Sequence, residues 1–175
     1  DGELASLEAG TDTRVLEFVA RHQTFEPSRE FVYHLEPVQR PTFAPSFAFN
    51  GLVELLAIDD TTLLALERGF VANKEKPDES RCTIRVFSVT LSGATDVSAI
   101  ESLKEHQEIV PLKKTLVLDL SQAQGLSQEL APTLENFEGM TFGPRLPDGR
   151  ASLVLVSDDN FSTVQRTWFL LFAIQ

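Results

Sequence analysis

Short runs of apolar, aromatic and β-branched residues recur along the chain between turn signals, and few segments keep a 3.6-residue period long enough to favour a helix. Two stretches, 2–9 and 98–107, are expected to be helical or irregular. The other runs predict nine β-strands, at 14–20, 31–35, 55–58, 63–67, 83–91, 115–120, 140–142, 152–157 and 167–173. The pattern therefore predicts an all-β fold.

An internal repeat becomes visible when Glu54 is aligned with Glu138. Each copy begins with a carboxylate and continues as strand, turn, strand and a polar pair, which is the pattern of a duplicated hairpin. The predicted strands then divide the chain into three parts. We expect two strands of a preceding blade and a Pro-rich linker in 1–45, a complete four-stranded blade in 46–130, and a final three-stranded blade in 131–175.

The number of predicted strands bears on how the sheets can be assembled. A closed β-propeller needs at least four blades of four strands, about sixteen strands in all, and this chain supplies about nine. We therefore expect propeller-like antiparallel blades in an incomplete ring, which a partner chain or a missing N-terminal half would complete. The alternative is a self-contained β-sandwich that carries a duplicated hairpin.

The charge balance narrows the class of partner. The chain has 15 Lys and Arg against 26 Asp and Glu, a net charge of −11, and contains no run of basic residues. Binding to nucleic acid or to anionic lipid is therefore disfavoured, and a cationic or metal-bridged partner is favoured. No apolar run approaches the ~20 residues of a membrane span. A single cysteine and the scattered histidines His22, His34 and His106 argue against a zinc centre.

The second copy of the repeat carries the candidate metal ligands. Glu138 precedes one predicted strand, and Asp158 and Asp159 follow its antiparallel neighbour, so the three carboxylates are expected to converge. Hard oxygen ligands favour calcium. Asp159 would be a general base for ester hydrolysis. In the alternative interpretation, Asp158 and Asp159 cap their own turn and Glu138 pairs with a distant arginine such as Arg166.

The first copy has Glu67 and Arg68 where the second has the two aspartates. The planar guanidinium of Arg68 is a candidate for gripping a phosphate, and Lys113 or Lys114 would supply a second positive contact. Arg68 would then be both a catalytic and a substrate-binding residue. In the alternative interpretation, Arg68 neutralises Glu54 or Glu67 and stabilises the edge of the blade where these residues lie.

Five segments of the chain resemble the family called esterase-like activity of phytase: 51–57 (GLVELLA), 63–68 (LLALER), 113–116 (KKTL), 136–144 (NFEGMTFGP) and 157–161 (SDDNF). The resemblance extends from about Phe31 to the C-terminus and covers only the later half of that family's domain. It implies a β-propeller distantly similar to calcium-dependent phytases, usually in an exported protein.

Two functions follow from these observations. The first is a phytase-like propeller domain with calcium-assisted hydrolysis of a phosphoester substrate. The second is a non-catalytic propeller module or subunit that binds other proteins in a larger assembly, which an incomplete ring with unpaired strand edges favours.

Overall fold

The computed structural model describes residues 3–105, 108–126 and 134–174. His106, the first residue of the stretch 2–9 and the last two residues of the stretch 98–107 lie outside this part of the chain. The described residues form nine strands: β1 (Thr11–Arg21), β2 (Thr24–Leu35), β3 (Phe47–Ala57), β4 (Thr62–Ala72), β5 (Arg81–Thr90), β6 (Lys113–Asp119), β7 (Phe137–Phe142), β8 (Ser152–Ser157) and β9 (Phe169–Ala173). Short 3₁₀ turns occur at Pro77–Glu79, Leu103–Glu105 and Leu120–Gln122.

The strands pair antiparallel in the order of the chain. β1 and β2 form the first hairpin, β3–β4–β5–β6 form the middle sheet, and β7–β8–β9 form the last sheet. No closed barrel forms among the described strands. The all-β prediction is confirmed, and each predicted strand overlaps one observed strand.

Several strands are longer than the sequence pattern predicts. β2 begins at Thr24, seven residues before the predicted start, and continues through Pro27, which lies opposite Phe18. Proline cannot donate a ladder hydrogen bond, and the register of this hairpin shifts between Leu16 and Phe18, immediately beside it. Charged residues and a proline therefore masked a strand whose partner is a local hairpin neighbour.

Alternation along β4 divides the core into two layers. Leu64 and Leu66 belong to a buried cluster shared with Leu153 and Leu155 of the last sheet. Ala65 instead belongs to the cluster that contains Phe31 and Tyr33 of the first hairpin. Successive strand residues point to opposite faces, so the middle sheet is covered on one face by the first hairpin and on the other by the last sheet.

The long connection between β5 and β6 packs along strand β2 of the first hairpin, on the side away from the middle sheet. The backbone N–H of Val97 donates to the Glu30 carbonyl over 2.8 Å, and the N–H of Leu112 donates to the Val32 carbonyl over 2.8 Å. Val32 and Val97 are buried in a third apolar cluster. The edge and far face of β2 are thus covered by the chain's own loop.

The last sheet presents its other face to solvent. Phe169 and Leu171 alternate with the core-facing residues of β9 and are 71% and 55% exposed. They lie opposite Val156 and Val154 of β8. No other described part of the chain covers this apolar face.

Among all the residues that the structure describes, no helix is long and apolar enough to cross a membrane.

Candidate functional site

Both copies of the repeat contain an irregularity in the β-ladder beside the acidic residue. In the β3–β4 pair the register shifts between Leu52 and Glu54, and in the β7–β8 pair it shifts between Phe137 and Gly139. Leu52 lies opposite Glu67, and Phe137 lies opposite Ser157.

This pairing corrects the alignment of the two copies by one residue. Glu67 corresponds to Ser157 rather than to Asp158, and Arg68 corresponds to Asp158 rather than to Asp159. The bulged residue is Val53 in the first copy and Glu138 in the second. The error arose because the sequence alignment matched Glu54 with Glu138, whereas the pairing makes Glu54 equivalent to Gly139.

The bulge brings Glu138 to Arg68. An Nη of Arg68 on β4 lies 2.9 Å from a carboxylate oxygen of Glu138 on β7, and the two side chains are 16% and 36% exposed. The guanidinium also lies over the ring of Phe49, 5.1 Å from its centroid. This ion pair crosses from the middle sheet to the last sheet. The structure thus pairs the predicted phosphate contact with one of the predicted metal ligands.

Arg68 has one unsatisfied donor in this position. Its Nε is buried and has no hydrogen-bond partner among the described residues. Glu54, which the alternative interpretation placed beside Arg68, accepts a hydrogen bond from the backbone N–H of Leu55 over 2.9 Å. The ion pair of Arg68 is with Glu138, and Glu67 pairs with Lys114 instead.

Asp158 and Asp159 cap the turn that follows β8. Asp158 accepts the backbone N–H of Asn160 and Asp159 accepts that of Phe161, each over 2.9 Å. Asn160 and Phe161 have φ values of 51° and 53°, which only a tight turn requires of such residues. These are the contacts of the capping interpretation, in which the carboxylates satisfy backbone donors of their own loop.

The start of β7 and the end of β8 lie side by side, as the sequence predicted. The carboxylates of Glu138, Asp158 and Asp159, however, make separate contacts. The backbone N–H of Asp158 donates to the Asn136 carbonyl over 2.9 Å, so the end of β8 lies beside the start of β7. Within residues 3–105, 108–126 and 134–174, no three or more His, Cys, Asp or Glu side chains form a group that could hold a metal ion. The described residues thus do not gather Glu138, Asp158 and Asp159 into one such group, and calcium binding by these residues stays a prediction.

Lys113 lies far from Arg68. It is exposed at the start of β6, opposite Thr90, whereas Arg68 is opposite Ile84. Six residues of β5 separate these two points, roughly 20 Å of strand. The structure does not bring the two predicted substrate contacts together.

Lys114, the next residue, enters a buried polar network that the sequence analysis missed. Its Nζ lies 2.7 Å from Glu67 Oε1 and donates to the His34 carbonyl over 2.8 Å. The Tyr33 hydroxyl donates to the same Glu67 oxygen over 2.7 Å, and the Asn50 amide donates to Oε2 over 3.1 Å. The Glu67 side chain is 3% exposed.

The electrostatics of this network favour one protonation state. Burial and the neighbouring Glu67 carboxylate raise the pKa of Tyr33 well above its ordinary value, so the phenol stays neutral and donates. Glu67 has both oxygens occupied by donors from three elements of the fold. The arrangement is a satisfied ion pair that joins the first hairpin to the middle sheet. The sequence signal for it was a lysine directly before the predicted strand 115–120.

The fold and these contacts define a class of protein: all-β, built from antiparallel sheets packed one after another, consistent with an incomplete propeller or a sandwich. The family described as Phytase-like, esterase-like activity of phytase, matches residues 1–161. The chain belongs to this family, which confirms the resemblance. The match includes the first hairpin, upstream of the start predicted near Phe31, and ends before β9. No curated protein and no solved structure matches the chain.

Proposed function

We propose that this chain is a non-catalytic interaction module of the phytase-like family. One observation carries the proposal: Arg68 and Glu138 are committed to each other across the boundary between the middle and last sheets. A phosphate at Arg68 or a cation at Glu138 would have to replace a pair whose arginine is 16% exposed. Both residues then act as structural links between sheets.

The packing of Arg68 supports this role. Its guanidinium covers the Phe49 ring, and Phe49 lies 6.1 Å from Phe70, ring centroid to centroid. Withdrawal of the guanidinium toward a ligand would give up the cation–π contact as well as the ion pair. The site is therefore organised to hold the sheets together.

The outward face of the last sheet is the interaction surface in this proposal. Within the chain, Leu64 and Leu66 on the corresponding side of the middle sheet are covered by Leu153 and Leu155. The same side of the last sheet carries Phe169 and Leu171, both exposed. The surface would be covered by a further antiparallel sheet with an apolar face, continuing the face-to-face packing of successive blades in a propeller. That sheet would come from a partner chain or from a further part of a longer protein.

Two measurements test the proposal. We expect calcium titration by calorimetry to give no binding heat, and a panel of phosphoesters to show no turnover with or without calcium. Calcium binding that disappears in Glu138→Gln, or turnover that disappears in Asp159→Asn, would overturn the proposal. Glu26→Gln, the same charge change on the first hairpin, is the matched control for nonspecific effects of lost negative charge.

A second candidate, calcium-assisted hydrolysis of phosphoric esters in an exported protein, is favoured by the family match to residues 1–161. In that case Glu138, Asp158 and Asp159 are the proposed metal ligands, Asp159 the proposed base, and Arg68 and Lys113 the proposed substrate contacts. The Arg68–Glu138 pair would first have to open. A substrate-dependent change in the reactivity of Arg68 toward phenylglyoxal, located by peptide mapping, would favour the second candidate.

A further inference from the structure

A cleft of about 820 Å³ lies between the middle sheet and the segments that precede β7 and β9 of the last sheet. Phe70 and Cys82, which are opposite each other in the β4–β5 ladder, line one wall. Val164 and Trp168, from the segment that precedes β9, line another part. The cleft forms because the chain leaves the last sheet after Ser157 and returns only at Phe169, so no strand among the described residues covers the Phe70–Cys82 pair. Its volume is in the range of small-molecule sites.

The lining combines aromatic surface with an excess of negative charge. Phe70 and Trp168 are the aromatic residues, and Asp78 and Glu135 outnumber the one cation, Arg166. Glu135 is partly buried and accepts the backbone N–H of Arg166; burial raises its pKa, and that hydrogen bond and the Arg166 charge oppose the rise without cancelling it. The carboxylate is therefore fixed beside apolar surface, where an opposite charge gains more than it would in bulk water.

We propose that this cleft binds a small aromatic ammonium compound, with the ring against Phe70 and Trp168 and the cation beside Glu135. Aromatic faces attract both rings and cations, and the negative lining disfavours phosphates and carboxylates. The proposal is independent of the proposed function, because no residue of the Arg68–Glu138 pair takes part in it. It assigns the cleft a class of ligand different from a phosphoester.

The test uses 2-phenylethylammonium chloride as the probe and the fluorescence of Trp168, the single tryptophan of the chain. We expect a saturable change in emission at pH 8. Glu135→Gln should raise the dissociation constant about tenfold, which is the loss of affinity expected when a charge-assisted contact is removed. Glu26→Gln should leave it unchanged, and neutral 2-phenylethanol should bind the parent and Glu135→Gln alike. A linear, unsaturable change, or equal affinity in the two glutamine variants, would overturn the proposal.

A second readout is independent of fluorescence. Cys82 is the single cysteine and lines the cleft, and burial raises its pKa to about 11, so iodoacetamide should alkylate it slowly. The probe should slow alkylation further, with the same concentration dependence as the change in Trp168 emission. Alkylation at an unchanged rate in saturating probe would contradict occupation of the cleft.

Discussion

Glu67 and Arg68 are neighbours in the chain, yet they serve different interfaces. Glu67 points toward the first hairpin, is 3% exposed and accepts hydrogen bonds from Tyr33, Lys114 and Asn50. Arg68 points toward the last sheet, is 16% exposed, and pairs with Glu138. Its Nε has no partner in the described part of the chain. Strand alternation thus sends adjacent opposite charges to opposite faces, one into a satisfied network and one into a looser pair.

Loss of Lys114 should reveal the difference most strongly. Lys114→Met leaves the buried Glu67 carboxylate without its cation, and we expect the free energy of unfolding to fall by about 3–5 kcal/mol. Urea denaturation followed by circular dichroism measures this. Lys113→Met is the matched control, since Lys113 is exposed, and should change stability by less than about 0.5 kcal/mol. Similar losses in the two variants would mean that the Glu67 network does not stabilise the interface between the first hairpin and the middle sheet.

Removal of the Tyr33 hydroxyl should have the next largest effect. Tyr33→Phe keeps the ring but deletes the 2.7 Å hydrogen bond to Glu67. We expect a loss of about 2 kcal/mol, as for a hydrogen bond to a buried charged group, measured by the same denaturation. A loss below about 0.5 kcal/mol would show that Glu67 does not need this donor.

The contribution of Tyr33 should also depend on pH. Its pKa is raised in the folded protein, so the folded state holds the proton more tightly than the unfolded chain. The stabilisation is fully present below the unfolded pKa near 10 and decreases at higher pH. The stability difference between the parent and Tyr33→Phe should therefore shrink by about 1.4 kcal/mol between pH 9 and pH 11. A constant difference over this range would contradict the raised pKa.

The sequence predicts those features of the structure that depend on residues close together in the chain better than those that depend on distant residues. The strand order and the all-β class follow from local alternation and turn residues such as Pro147, Asp148 and Gly149. The first part of β3, from Phe47, was missed because Asn50 and Gly51 interrupt its apolar pattern. The family resemblance was available from short motifs.

The candidate site was much less predictable. Its geometry depends on a one-residue bulge at Glu138 and on which face of β4 each charge occupies. Sequence spacing gives neither, because the repeat pattern does not show where a strand carries an extra, unpaired residue. The same applies to Lys114, whose partners Tyr33 and Glu67 are distant in the chain. The turn contacts of Asp158 and Asp159, by contrast, are local and were anticipated as an alternative.

The Arg68–Glu138 interface should respond least to loss of charge. Glu138→Gln should lower the free energy of unfolding by about 1 kcal/mol, because the glutamate is 36% exposed and water partly compensates for the lost pair. Glu54→Gln is the control from the first copy and should be near neutral, since Glu54 accepts its hydrogen bond from the backbone N–H of its neighbour Leu55. A loss in Glu138→Gln as large as that in Lys114→Met would remove the contrast between the two interfaces.

The most direct test of the central claim, that Arg68 and Glu138 are committed to each other, is a double-mutant cycle. Stability would be measured for the parent, Arg68→Met, Glu138→Gln and the double variant. The pair predicts a coupling free energy of about 1 kcal/mol, with the double variant more stable than the sum of the single losses implies. Additive losses, with coupling indistinguishable from zero, would contradict it.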